Sequence, residues 1–310
     1  MNNTLTASSV VPYVALVTGA TGFVGSHVAR RLIRDGWQVH ILSREGSRLP
    51  DGTEFNKVTN HRHDGSIQSM VRCVANAKPN VVFHLASMFL VQHAPKDVEP
   101  LIASNVLFAS QLLEAMAVNE VNCVINTGTS WQHYNNDDYN PVCLYAATKQ
   151  ALEAILEYYV QARGIKAITL KLFDTYGPND PRPKLFHLLK KAATSGMALD
   201  MSAGAQLIDL VHIDDVVEAY LIAAQRLLEG KVSRHEQYAV SSGQPLPLKE
   251  LTQVYARVTK QAGPVNWGAR AYRFREVMVP WDRGIWIDGW KPRIELEDGL
   301  CRMARSSMLK

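Results

Sequence analysis

The chain has 310 residues, 47% of them apolar and 20% charged, which suits one α/β domain of about 200–250 residues with a subordinate lobe. Its 33 basic and 29 acidic residues leave a net charge of +4 with no run of Lys or Arg, too weak and scattered a balance for a nucleic-acid partner. Cys73, Cys123, Cys143 and Cys301 form no CxxC or Cys/His pattern, so the expectation is free thiols in a reducing compartment and no metal.

The N-terminus lacks a basic n-region, and its apolar run leads straight into a Gly-rich turn. It reads as a short polar tail before a first strand, not as a signal peptide. No apolar run approaches the roughly 18 residues of a membrane span, so a cytoplasmic protein is expected. "YVALVTG" (13–19) is the first strand, and residues 23–36 form a helix with apolar and charged faces. "WQVHILS" (37–43) is a second strand. Residues 66–79 read as a helix stopped by Pro79, and 80–87 as a strand. A long helix over 98–118 carries Leu101, Asn105, Phe108, Leu112 and Ala115 on one stripe. Strand 121–128, an amphipathic helix over 141–164 and strand 166–173 come next. Continuously apolar strands alternating with helices predict a doubly wound parallel α/β sheet of the Rossmann type, covered on both faces.

After residue 174 the texture changes to Pro/Gly-rich loop, a strand end running into a helix at 212–230, a loop and helix at 243–263, and a Trp- and Arg-rich tail. The predicted organisation is a dinucleotide-binding unit over 1–174 and a smaller C-terminal substrate lobe over 175–310. Returning segments at about 205–240 complete the sheet.

Between the first strand and helix the chain reads Gly19-Ala-Thr21-Gly22-Phe23-Val24-Gly25. Three glycines placed there permit a tight turn, close backbone approach to a pyrophosphate and close helix–strand packing, with the helix N-terminus facing the anion. At the end of the second strand an acid would take the ribose 2′-hydroxyl of NAD. The chain has Ser43-Arg44 instead, and an arginine suits the 2′-phosphate of NADP. NADP(H) is therefore expected over NAD(H). Tyr145 and Lys149 lie four apart on a helix, side by side.

With the glycine turn, Tyr145-x-x-x-Lys149 and Thr129 sixteen residues before the tyrosine, the chain resembles the extended short-chain dehydrogenase/reductases over nearly its whole length. "HLAS" (84–87), Asp64 in "HDGSI", Asn105, "YGPND" (176–180), "VHIDDVVEAY" (211–220) and "GWKP" (289–292) are similar to that family's later landmarks. The resemblance implies that the Tyr145 phenol passes a proton to or from the substrate oxygen. Lys149 would lower its pKa and hold the nicotinamide ribose, and Thr129, with Ser130 as the alternative, would align the substrate. A unit charge about 4 Å away contributes ~4 kcal/mol at an effective dielectric near 20, enough to bring a phenol toward neutrality. The resemblance further implies cofactor contacts at Gly65, Leu85, Ala86, Ser87 and Phe173 beside those of the glycine turn, Ser43, Arg44, Asp64 and Asn105.

Family subclasses separate on the two residues immediately after Thr129. The 4,6-dehydratases carry an Asp-Glu pair there, and reductases that also epimerise carry a Cys paired with a later His; here the chain has Ser130-Trp131. His84, His187 and His212 are therefore read as packing residues. Simple hydride chemistry at one carbon remains, and Arg44 tips it toward a reductase. The pattern looks most like 4-ketoreductases of nucleotide-linked 4-keto-6-deoxy sugars, of the CDP-abequose and CDP-paratose synthase type. The alternatives are an NAD-retaining 4-epimerase, a reductase of a ketone without a diphosphate, or a catalytically silent cofactor sensor.

Two positions depart from the family. Ile208 stands where an arginine usually grips the diphosphate, and Asp174 where an asparagine is common. Arg273 is the preferred replacement cation, with Lys184, Arg270 and Arg275 as others. Met88 and Trp131 are expected to line the substrate pocket. Trp267, Trp281, Trp286 and Trp290 are expected to pack the lobe. A homodimer through the helices at 98–118 and 145–163 is expected from the resemblance.

Overall fold

The computed structural model describes residues 11–308. The polar tail assigned to the N-terminus lies almost entirely outside the described residues. In chain order the elements are β1 (Val14–Thr18), α1 (Phe23–Arg34), β2 (Gln38–Arg44), β3 (Thr59–His63), α2 (Ile67–Ala77), β4 (Val81–His84), α3 (Val98–Ile102), α4 (Phe108–Val118), β5 (Cys123–Thr129), α5 (Leu144–Arg163), β6 (Lys166–Leu172), β7 (Asp174–Tyr176), α6 (Leu185–Ser195), β8 (Leu199–Met201), β9 (Leu207–Ile208), β10 (Leu210–His212), α7 (Ile213–Leu228), β11 (His235–Val240), β12 (Leu246–Pro247), α8 (Leu248–Thr259), β13 (Val265–Trp267) and α9 (Leu296–Met308).

Seven of the strands form one sheet in the order β11-β6-β5-β4-β1-β2-β3, every pairing parallel. This is the doubly wound α/β Rossmann sheet that the strand–helix alternation predicts, and it puts the carboxyl ends of the strands along one edge. One face is covered by α1 and α7, burying Val28, Leu32, Val216 and Tyr220. The other is covered by α2, α4 and α5, burying Met70, Leu112, Met116 and Leu156. A separate small core of Tyr176, Phe186, Leu189, Val254, Tyr255 and Leu300 holds the lobe.

Several local readings are corrected. β3 lies in a stretch to which the sequence assigned no element; its Thr-Asn-His-Arg-His composition hides it, because it is an edge strand whose residues stay partly exposed. Of the returning segments at about 205–240, β11 takes the edge position beside β6, whereas the landmark strand β10 pairs with β7 outside the main sheet. The long helix over 98–118 is broken by a π turn at Ala103–Leu107 between α3 and α4. That turn projects Asn105 inward, where it is 1% exposed.

Within Pro95–Val118 an 18-residue stretch has a mean hydropathy of 1.5 and passes for a membrane span by length and composition, although polar residues interrupt it and no unbroken apolar run of that length occurs, as the sequence reading has it. Its apolarity has a core explanation, since Leu101, Leu112 and Met116 are fully buried. Of the four tryptophans assigned to lobe packing, Trp290 is buried and Trp281 packs against the main core, but Trp286 is 41% exposed. The four cysteines are free, as expected, and no cluster of metal-ligating side chains occurs among the described residues.

Candidate active site

The glycine turn leaves β1 with Gly19 at φ +72°, a conformation that only glycine adopts cheaply. A Cβ on Gly19 would lie 2.5 Å from the Ala86 nitrogen, and one on Gly25 would lie 2.1 Å from the Gly19 carbonyl oxygen. The turn, the start of α1 and the loop after β4 are thus pressed together. Thr18 fastens them: its hydroxyl oxygen accepts from the backbone N–H groups of Leu85 (3.2 Å) and Ala86 (3.1 Å) and pairs with His84 Nδ1 at 2.9 Å. Gly22 caps α1 without any side-chain hydrogen bond, so the first-turn N–H groups face outward for an anion. Thr21 is exposed beside them, and Phe23 and Val24 open the helix.

Ser43 and Arg44 end β2; Ser43 donates to the Asn60 side-chain oxygen at 2.8 Å, while Arg44 is exposed. Asp64 and Gly65 come after β3 on the same edge, with Asp64 accepting from the Ser66 N–H and hydroxyl. These residues form a continuous rim along the strand ends, bordered by α1's N-terminus, and they fit a dinucleotide. Asn105 is buried beside this rim, the buried helix asparagine that the resemblance implies. Its side-chain oxygen accepts from Ser87 and the Met88 N–H, and its amide donates to the Met88 carbonyl and Thr148, so it pins the loop after β4 to α5.

Helix α5 carries Tyr145, Lys149 and Glu153 at successive i, i+4 positions, and all three are buried. Gly164 closes the helix in the left-handed conformation. The Lys149 ammonium lies 5.8 Å from the centre of the Tyr145 ring, and Phe89 packs edge-on against that ring at 4.9 Å. The expected lowering of the phenol's pKa by Lys149 is corrected. Burial dominates and holds the Tyr145 phenol well above its ordinary range, with Cys143 and Asp174 adding to the rise and a hydrogen bond to Ser87 opposing it. Burial also lowers Lys149, to about 8, against the attraction of Glu153. His84 is buried and pushed to about 3 by burial and by Lys149, so it is neutral.

Thr129 ends β5, 8% exposed. Its hydroxyl oxygen accepts from the Trp131 N–H at 3.3 Å, and its own N–H donates to the Gln132 side-chain oxygen at 3.0 Å. Ser130 and Trp131 line a cavity of about 420 Å³, which Phe173, Asp174, Arg270, Arg273 and Arg275 also border. Trp131, Asp174 and Arg273 are shared with a larger cavity of about 920 Å³ that reaches Phe89, Asp180, Arg182, Lys184 and Lys190. Four cationic side chains face two carboxylates there, so the wall favours an anion. Met88 is held by Asn105 behind this wall; its neighbour Phe89 is the side chain that lines it.

Three of the cations on these walls are paired, Lys184 with Asp174, Arg182 with Asp180 and Arg273 with Glu276. Lys184 holds Asp174 at 2.8 Å. Burial raises the Asp174 carboxyl, yet Lys184, Arg182 and Arg273 outweigh it and keep it below its usual range. Arg273 is forked onto Glu276 at 2.9 and 2.7 Å while its guanidinium sits 6.0 Å over Trp131. Ile208 lines both cavities, and Asp209 beside it accepts from the Ser242 and Gly243 N–H groups, a scaffold task. Cys143, two residues before Tyr145, donates to the Leu90 carbonyl and is raised by burial, so it stays a thiol. His187 is exposed on α6, and His212 is buried at the α7 N-cap, accepting from the Asp214 N–H.

Residues 15–239 match the model of the NAD dependent epimerase/dehydratase family. The chain belongs to that family. It is an enzyme that works with a nicotinamide dinucleotide, as the extended short-chain dehydrogenase/reductase resemblance predicts. Among curated relatives, this family member is 27% identical to the CDP-abequose synthase of Salmonella muenchen, covering 93% of this chain and 96% of the relative. It is also 27% identical to the UDP-glucose 4-epimerase of Mycolicibacterium smegmatis, again over 93% and 96%. Among solved structures, MoeE5 in complex with UDP-glucuronic acid and NAD superposes with a TM-score of 0.79 at 25% identity, covering 95% of this chain and 99% of that one. The UDP-glucose 4-epimerase of Thermotoga maritima with UDP-glucose superposes at 0.81 and 23%, over 96% and 99%.

Proposed function

We propose that this enzyme reduces the 4-keto group of a nucleotide-linked 4-keto-6-deoxy sugar, drawing on NADPH. The observation that carries the reading is Arg44, an exposed guanidinium at the carboxyl end of β2 where an NAD enzyme would present an acid. A cofactor-retaining epimerase gains nothing from a 2′-phosphate contact, whereas a reductase consumes reduced NADP. Similarity to CDP-abequose synthase over nearly the full chain supports the same reaction class.

In this reading residues 1–174 bind the dinucleotide, on the glycine turn, the rim of Ser43, Arg44, Asp64 and Gly65, the Leu85–Ser87 loop and Phe173. When bound, its nicotinamide supplies the hydride. Residues 175–310 hold the nucleotide sugar, with Phe89, Ser130, Trp131, Asp174, Lys184 and Arg273 around it. Thr129 hydrogen-bonds the keto oxygen and Tyr145 gives it a proton. The raised pKa of Tyr145 keeps that proton on the phenol until the oxygen becomes basic. Lys149, charged below about pH 8, compensates the phenolate that is left. The two other groups near the phenol are ill-suited to proton abstraction at neighbouring carbons, because Asp174 is neutralised by Lys184 and Cys143 is held as a thiol. That supports chemistry at a single carbon.

The diphosphate grip absent at Ile208 would come from Arg273 exchanging Glu276 for phosphate. Exposed Val98, Ile102, Leu107 and Val118 on the α3–α4 helix and Tyr158 on α5 support a homodimer through these helices. A cytoplasmic site of action accords with an NADPH supply.

A 4-epimerase that keeps NAD is the second reading, favoured by the NAD in the MoeE5 complex. The test supplies CDP-4-keto-6-deoxyglucose with NADPH. The proposal expects loss of NADPH matched by a reduced CDP-sugar. Interconversion of UDP-glucose and UDP-galactose without added cofactor would replace it with the epimerase.

A further inference from the structure

Behind the catalytic helix lies a buried polar cluster with no counterpart among the motifs of the sequence. Glu153 is 4% exposed and Lys171 on β6 is 4% exposed, and their charged atoms lie 3.5 Å apart. Gln132, fully buried, donates to Glu153 Oε1 at 2.8 Å and to the Gln150 side-chain oxygen at 2.7 Å, while its own oxygen accepts the Thr129 N–H at 3.0 Å. Lys171 donates to His133 Nε2 at 2.9 Å, and His133 Nδ1 bonds the Asp137 carbonyl, which fixes its tautomer. Trp281 covers the cluster, stacked on His133 at 4.0 Å with the Lys171 ammonium 5.7 Å from its ring.

Burying a carboxylate costs several kcal/mol unless it is paired, so this cluster needs a reason. Its geometry supplies one. The single carboxylate touches, through one glutamine, the backbone that aims Thr129, and it stands one helical turn from Lys149. We propose that Glu153 is the positioning residue of the active site, holding Thr129 through Gln132 while fixing the charge state of Lys149, with Lys171 as its counter-cation. The inference rests on the reading of Thr129, Tyr145 and Lys149 as the catalytic set, and it holds for a reductase and an epimerase alike.

The groups around Lys149 define the expected signs. Tyr145 and Glu153 face it from α5, and neutral His84 from β4. Around Glu153 stand Gln132, Lys171 from β6, and His235 from β11, which also pairs with Glu157 at 3.4 Å. Removing the Glu153 charge takes an anion from Lys149 and lowers its midpoint. Removing the Lys171 charge takes away a cation, with Glu153 left to serve Lys149 alone, and raises it. A charge at this range in a protein interior moves a titration by roughly one pH unit.

The experiment titrates the Lys149 side chain by NMR in the full chain labelled with 13C-lysine, without substrate, the signal being assigned by its loss in Lys149→Arg. Glu153→Gln keeps an acceptor for Gln132 and is expected to lower the Lys149 midpoint by roughly one unit; Lys171→Gln is expected to raise it similarly. Gln132→Met, with the charges intact, is expected to leave the midpoint in place while kcat falls at least tenfold. If Lys171→Gln unfolds, Glu153→Gln/Lys171→Met carries the same test, with a midpoint at or below that of wild type expected. Midpoints that stay fixed, or that rise on loss of Glu153, overturn the proposal. Because the titration needs no substrate, it stands or falls separately from the ketoreductase reading, which NADPH consumption with CDP-4-keto-6-deoxyglucose judges.

Discussion

The Lys149 ammonium stands 5.8 Å from the centre of the Tyr145 ring, one turn along α5, with both side chains closed off from solvent. Burial pushes each toward its neutral form, the phenol upward and the amine down to about 8. In the proposed reaction Tyr145 would then act as an acid that yields its proton only to a strong base, such as the oxygen left by hydride addition. Tyr145→Phe is expected to cut turnover by roughly 10²–10⁴-fold while leaving dinucleotide affinity within about twofold, measured by steady-state kinetics and by titration of cofactor fluorescence.

Activity and stability should part company in alkali. Lys149 is charged below about 8, so turnover is expected to fall as pH rises through that value. Its folded pKa is depressed relative to the ordinary 10.5, so between about 8 and 10.5 the unfolded chain binds more protons, and this group's contribution to stability rises with pH. Lys149→Met should abolish turnover and flatten that part of the stability curve. Chemical denaturation across the window decides it; equal pH slopes in both proteins would remove Lys149 as the source.

Gly19 and Gly36 separate cradle from turn. Both have positive φ, +72° and +84°, but a Cβ on Gly19 meets the Ala86 backbone whereas one on Gly36 meets nothing within 4 Å. Gly36→Ala is expected to cost about 1 kcal/mol and leave cofactor binding unchanged. Gly19→Ala adds the clash, costs roughly 1–3 kcal/mol more and abolishes binding. Paired thermal melts and cofactor titrations read the difference.

Acid should loosen the fold through buried histidines. Burial depresses His84 to about 3 and His133 and His212 to about 4, below the ordinary 6.5. The unfolded chain takes up protons first, so their contribution is whole above about pH 6.5 and is lost as pH falls toward 3–4. Urea midpoints are expected to drop steeply between neutral pH and about pH 5, and His84→Gln to shrink the drop despite a lower starting stability.

The parts of this molecule written in local pattern were legible beforehand. The glycine turn sits between a strand and a helix, and the Tyr145–Lys149 spacing needs only a helix to bring the two together. Features that depend on long-range pairing were hidden. β3 looks like loop because an edge strand carries no apolar run. β10 looks like a sheet strand because nothing local says that β7 is its partner. Glu153 reads as an ordinary helix position until the sheet brings Lys171 of β6 beside it, and for Asn105 the resemblance marks the position but not the π turn or the partners that hold it. Glu153 did carry a signal: a carboxylate four residues beyond Lys149 on the same face is costly to bury without a task. The fall of Tyr145's expected pKa failed for a related reason, since a pairwise charge argument omits the desolvation that buries both partners.

Whether the enzyme is a reductase fed by NADPH turns on Arg44. Cofactor binding reads this without any substrate: the nicotinamide content of the purified protein, then NADPH and NADH affinities for the wild type and Arg44→Asp. Loss of a charge-assisted phosphate contact is worth roughly 1.5–3 kcal/mol, about 10–100-fold. The expected protein binds NADPH more tightly than NADH by that margin, with the order reversed in the variant. Stoichiometric NAD already bound to the wild type, with NADPH the weaker ligand, would overturn the NADPH assignment and make the enzyme an epimerase.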